Sequence, residues 1–224
     1  MSPKAEREIF TMPDWEEKPL LRGWIHLISV PLVLAATIVL LILAPTTGRT
    51  IACVIYLLCS VQLFGTSALY HRGNWGKTGD AILRRMDHSN IFLLIAGTYT
   101  PIAVSALNQT QATILLSIVW SGAAIGILMR IFWLDAPRWL YTALYVVLGW
   151  TALWFLYPIA QGVGWAVVWL LVAGGLTYTI GAIFYGTRWP GRNAKIFGFH
   201  EFFHTCTIIG WTLMCIAAYF AVLS

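Results

Sequence analysis

Seven stretches of roughly 20 residues, each nearly free of charge, recur along this chain. An α-helix rising about 1.5 Å per residue needs that length to cross roughly 30 Å of hydrocarbon, and helical pairing leaves no backbone amide unsatisfied in lipid. The stretches run from Trp24 to Ala44, Thr50 to His71, Met86 to Leu107, Ala112 to Met129, Trp139 to Ile159, Val163 to Thr187 and Gly198 to Leu223. Breakers mark most joints: Pro45 with Gly48, the run from Gly73 to Gly79, Asn108, Pro137, Gly162, and Pro190 with Gly191. Pro101 falls inside the third stretch, where it is expected to kink the helix. The chain thus reads as an all-α membrane bundle of seven transmembrane helices, with residues 1–23 as a polar segment and 24–224 as one membrane domain.

Composition excludes the other classes. Charged residues make up 10% of the chain, well below the roughly 25% of a soluble domain. The 12 Trp and 9 Tyr suit the headgroup zone, where amphipathic rings settle. A net charge of +5 does not signal a nucleic-acid partner, because the cations lie in short clusters between apolar runs and form no basic stripe. The first apolar run exceeds the roughly 7–15 residues of a signal-peptide core and is expected to be a retained span. Cys53, Cys59, Cys206 and Cys215 all lie in apolar runs without C-x-x-C spacing, and read as buried thiols.

Lys and Arg divide 13 against 1 between alternate sides of the seven spans, with Arg49 the lone exception. By the positive-inside rule, the N-terminus is cytoplasmic and the C-terminus outside, in a multi-pass protein of the cell membrane.

Ionisable groups inside spans are costly and become functional candidates by default. Asp87 and Glu201 are the acids within these spans, and His26, His71, His88, His200 and His204 lie within or at the ends of them. All seven map to the cytoplasmic half. His200 and His204 share one helix face at i, i+4 spacing, as do Ser67 and His71 on the second helix. Three imidazoles with an open fourth position are the usual donor set of a catalytic zinc, so His71, His200 and His204 are the candidate Zn2+ ligands. Asp87, expected at the start of the third helix, could hold or deprotonate a water on the zinc, and Ser67 could bond to that water or to substrate. Counting from flanking cations puts His204 about 13 Å deeper than His71, a mismatch that tilt and boundary shifts would have to absorb.

Blander readings stand beside these. His200 and His204 could be interhelical hydrogen-bonding histidines, Asp87 could pair with Arg84 or Arg85 at a helix start, Ser67 could bond within its own helix, and His26 and His88 read as interfacial or supporting groups. The string His200-Glu201-Phe202-Phe203-His204 also matches the zincin protease signature. No acid follows Glu201 to serve as a third ligand, and Glu201 lies about 100° round the helix from the histidine stripe.

Three motifs resemble a known family: Ser67-Ala-Leu-Tyr-His71, Met86-Asp87-His88-Ser89-Asn90 with Leu94-Ile-Ala-Gly-Thr-Tyr-Thr-Pro101, and His200-Glu-Phe-Phe-His204. In that order they are similar to the hemolysin III proteins, bacterial relatives of the progestin and adipoQ receptors in a wider group that includes alkaline ceramidases. The resemblance implies a seven-helix fold, zinc on His71, His200 and His204, and an acid at Asp87 joined to it through water. The expected activity is hydrolysis of a lipid amide or ester. A zinc that only staples helices two and seven, in a homeostasis or sensor protein, is the alternative, and cytolysis is a third reading.

Overall fold

The computed structural model describes residues 19–133, 136–189 and 196–224. Among them there is no strand, and seven helical segments are long and apolar enough to cross a membrane. The helices are α1 (Trp24–Leu43), α2 (Thr47–Arg72), α3 (Gly76–Ala106), α4 (Gln109–Phe132), α5 (Arg138–Gly149), α6 (Leu156–Val163), α7 (Trp165–Thr187) and α8 (Phe199–Leu223). A 3₁₀ turn, Thr151–Phe155, joins α5 to α6, and the three together make the fifth span. Lys4, Arg7, Lys18, Arg192, Lys195 and the joint at Pro190 and Gly191 lie outside the described residues.

The outer surface is apolar. Ile42 is 73% exposed, Phe132 82% and Trp154 85%, which makes sense only if lipid is the solvent. α3 is the axis: 72% of its apolar window is buried, against 28% for α1 and for α4. One face of α3, through Leu94, Ile102 and Ala106, joins a core with α1, α2, α7 and α8. Another, through Phe92, Ala96, Tyr99 and Ala103, joins a second core with α4 and α5.

Without a hydrophobic force between helices in lipid, close approach and interhelical hydrogen bonds hold the bundle. A Cβ on Gly97 of α3 would come within 2.7 Å of Cys59 Cβ on α2, and one on Gly181 of α7 within 2.8 Å of Cys206 Cβ on α8. Cys53, Cys59 and Cys215 are buried free thiols as expected, whereas Cys206 is only half-buried. Across helices, Trp211 Nε1 donates to Ser60 Oγ at 2.9 Å, Gln62 Nε2 to Asn90 Oδ1 at 3.1 Å, and Tyr219 Oη to the Ala36 carbonyl at 2.6 Å. Arg49, the exception to the charge bias, donates to the Val222 and Ser224 carbonyls and so satisfies the end of α8.

Most boundaries move by a few residues, α2 starting at Thr47 so that Gly48 lies inside it and α4 running from Gln109 to Phe132, and three differences shape the site. α3 begins at Gly76, ten residues before Met86, so Arg84 and Arg85 lie on a helix and the joint shrinks to the residues around Asn74. The polar start of α3 has no apolar signal, yet its backbone satisfies itself by continuing the helix. The fifth joint falls at Gly164 rather than Gly162, because Gly164 takes φ 93°, which favours glycine. The fifth span is broken at Trp150, where sequence suggested continuity. Tyr99 on α3 repairs the break: its hydroxyl donates to the Gly149 carbonyl and accepts from the Ala152 amide at 3.2 Å. α3 itself runs on through Pro101 to Ala106.

Candidate metal centre

His71 sits in the last turn of α2, and His200 and His204 in the first two turns of α8. Their i, i+4 spacing stacks the two α8 imidazoles on one face, and that face meets the end of α2. His71 Nε2 and His200 Nε2 are 3.1 Å apart. The three residues can offer ligand nitrogens that all lie within 4.8 Å of one another. Two nitrogens bound at 2.0–2.1 Å in tetrahedral geometry would be about 3.3–3.4 Å apart, close to the His71–His200 spacing. His71 and His204 are buried and His200 is half-buried. This group can hold a metal ion.

The depth mismatch foreseen from sequence does not arise. α8 starts only at Phe199, so Lys195 is a poor marker of depth, and His204 lies about 8 Å into the helix. Its ring centroid is 5.2 Å from that of His71.

Asp87 is not at a helix start. It is preceded by about 16 Å of α3, which brings it level with the end of α2. Its Oδ2 lies 3.8 Å from His71 Nε2. Among the described residues it makes no ion pair with Arg84 or Arg85; Arg85 donates instead to the Ala81 carbonyl. Ser67, buried on α2 one turn before His71, neighbours the Asp87 carboxyl. The sequence-derived quintet of His71, His200, His204, Asp87 and Ser67 therefore gathers from three helices.

Glu201 is committed elsewhere. It is 1% exposed; one carboxylate oxygen accepts from Arg22 Nε and the other from the Gly198 amide at 2.8 Å. The second contact is the reach-back half of a capping box, and the first ties the entry to α1 onto α8. With both oxygens engaged, Glu201 offers no zincin-type base.

His26 and His88 support the site in different ways. His26, on α1, stacks on the His204 ring at 3.9 Å between centroids and 8° between planes, fixing its orientation. His88 lines the same cavity as Asp87, His200 and His204, beside Tyr185. Its Nδ1 is 2.7 Å from the Arg84 carbonyl, which can only accept, so Nδ1 carries the proton. Its Nε2, 3.1 Å away, then accepts from the Tyr185 hydroxyl. Sequence reasoning missed Arg22, whose role shows no spacing signal, and the aromatic group of Tyr141, Tyr145 and Tyr185 around His88.

A cavity of about 120 Å³ opens from this cluster into the bundle. Asp87, His200 and His204 line its polar end, and Leu94, Leu171 and Met214 its apolar depth. Met214 is ten residues beyond His204, about 15 Å along α8. The break at Gly149 and Trp150 forms part of the wall.

Two relatives are similar to this chain in sequence. A protein described as Hemolysin-3 homolog from Bacillus subtilis (strain 168) is 37% identical over 163 residues, covering 71% of this chain and 76% of the relative. A protein described as Hemolysin-3 from Bacillus cereus is 30% identical over 215 residues, covering 95% of each. Residues 15–215 match the family model described as haemolysin-III related. With the three-histidine group on a seven-helix membrane fold, this match over nearly the whole length places the chain in the haemolysin-III-related family.

Proposed function

We propose that this protein is a zinc-dependent hydrolase of lipid amide or ester bonds. The observation that supports it is the meeting of three imidazoles and an acid at the head of an apolar cavity. His71, His200 and His204 would hold the ion, and bound there zinc supplies Lewis acidity toward a carbonyl and toward water. The apolar walls accept an acyl chain and exclude bulk water from its end. Asp87 takes a proton from the attacking water as its oxygen bonds to the acyl carbon, and returns it to the amine or alcohol as the C–N or C–O bond breaks. Ser67 holds the Asp87 carboxylate in place. By the positive-inside rule, the charge bias of the loops supports a cytoplasmic position for this end of the bundle.

Purified protein in lipid nanodiscs, loaded with one zinc per chain, tests the reading against a panel of ceramides, lysophospholipids and acyl esters, with free fatty acid read by mass spectrometry. Release is expected from at least one substrate, falling about 10²- to 10⁴-fold in Asp87→Asn with zinc retained. Full occupancy without release from any substrate would remove the hydrolase. The reading favoured then is a structural staple, since the stack of His26 on His204 and the Arg22–Glu201 pair already bind α1 to α8 at the same level.

A further inference from the structure

The cavity that begins at the histidines ends blind inside the bundle. α7 and α8 run antiparallel and meet at glycines: a Cβ on Gly210 would come within 2.7 Å of the Tyr178 ring, and one on Gly174 would strike Met214. At the level of that second contact, Met214 and Leu171 line the cavity. Farther out on the same two helices, Val167, Ala217, Ala218 and Val222 are fully buried, and none of them lines it. Ile102 of α3 and Ile159 of α6 belong to the same packed cluster. Sideways, the indole of Trp150 lines the cavity and donates from Nε1 to Thr179 Oγ1 at 3.0 Å, spanning the gap between the break in the fifth span and α7.

Met214 is the adjustable part of this floor. Its side chain lies across the face of Gly174, where a Cβ would come within 2.9 Å of Met214 Cε, 3.2 Å of Cγ and 3.3 Å of Sδ. The thioether can lie there only because residue 174 has no side chain. Unbranched Met adapts to such gaps, so a change on either side of the contact moves the floor. Loss of the Met214 side chain opens the end of the cavity. A methyl at position 174 pushes the thioether off α7 and into the open space beside it, which is the cavity.

We propose that Met214, seated on Gly174, sets the longest acyl chain that this protein accepts. The inference rests on the hydrolase reading, in which the carbonyl end of a lipid lies at the histidine cluster and its chain in the cavity. From His204 to Met214 is about 15 Å along α8. An extended chain with C–C bonds of about 1.52 Å advances about 1.25 Å per carbon, so that depth holds about 12 carbons. Helical side chains lean back toward the N-terminus, which brings the tip of Met214 nearer the histidines and lowers the limit to about 10 to 12. Each further carbon must press on a packed floor or draw the carbonyl end away from the histidines. The lipids selected are those with medium-length saturated chains.

Protein purified with zinc in an uncharged detergent would be titrated with saturated fatty acids from octanoate to octadecanoate, reading bound acid by native mass spectrometry. Retention should peak near dodecanoate and fall about tenfold or more by hexadecanoate. Met214→Ala removes Cγ, Sδ and Cε and should move the peak up by about three carbons, whereas Gly174→Ala should move it down by about one or two. Zinc content unchanged from wild type shows that each variant keeps its fold, and if Gly174→Ala does not, Met214→Ala carries the test alone. Acyl amides and esters of the same lengths, read by release of fatty acid, separate the two readings. Graded binding without release at any length would leave the length limit standing and remove the hydrolase. Release indifferent to chain length, or a peak that Met214→Ala does not move, would overturn the limit and leave the hydrolase. Neither binding nor release at any length would overturn both.

Discussion

On one side of α3, where α1, α2, α7 and α8 pack, the buried charges and amides are matched within the protein, Glu201 with Arg22 and Asn90 with Gln62, as is Trp211 with Ser60, while the His26 ring nitrogens and the Tyr56 and Tyr178 hydroxyls have no hydrogen-bond partner among the described residues. On the other side, where α4 and α5 pack, Arg130 and Arg138 rest on aromatic faces with buried donors left open, and the fifth span is broken. The first side holds the histidine trio at the joined ends of two long, unbroken helices. Removing one of the matched groups there should cost stability or metal, because its partner is left behind.

The largest effect should come from the ligands. His71→Ala or His204→Ala removes a direct donor from a set of three, so metal affinity should fall by more than the roughly 10- to 100-fold typical of outer-shell partners. Elemental analysis of protein purified with added zinc should then find almost none, while Arg138→Gln retains a full complement. Stoichiometric metal in His204→Ala would break the comparison, because it would mean that the ion is held somewhere else.

Next is the pair that anchors the base of α8. Glu201→Ala strands Arg22 and the Gly198 amide, and breaking a buried pair costs about 3–5 kcal/mol, the lower end applying because the Arg22 side chain is 18% exposed. The thermal midpoint should drop, and the double variant Arg22→Ala/Glu201→Ala should lose less than the sum of the two single changes. Strict additivity would show that the contact contributes little to holding α1 against α8.

The seven spans, the seven-helix class and the candidate site residues could be read from the sequence because they are local or follow from solvent. Hydrophobic length reports the bilayer, and His200 with His204 reports a helix face. What could not be read depends on contacts between distant segments. The start of α3 at Gly76 has no apolar signal, so the sequence places Asp87 at a helix start although it lies well inside a helix. Glu201 sat in a protease-like string, and only the fold brings Arg22, 179 residues away, to its carboxylate. The break in the fifth span was hidden as well: from Leu148 to Leu156 only Gly149 and Thr151 interrupt the apolar run, and what lets it depart from a regular helix is the hydroxyl of Tyr99, supplied by another span.

That hydroxyl gives the smallest and most local test. Tyr99→Phe keeps the ring among Phe92, Ala96 and Ala103 and removes one oxygen, leaving the Gly149 carbonyl and the Ala152 amide unmatched in a site that excludes water. Leaving buried groups unsatisfied costs about 1–3 kcal/mol, so the midpoint should fall by less than in Glu201→Ala. Metal content should not change, because Tyr99 lies twelve residues, about 18 Å, along α3 from Asp87. Amide exchange gives the sharper reading: faster exchange at Ala152 and Leu153, with α8 unaltered, is expected if the break depends on that oxygen. Unchanged exchange would mean that the 3₁₀ turn is held by its own sequence, and the two halves would then differ in their charges alone and not in how their backbones are satisfied.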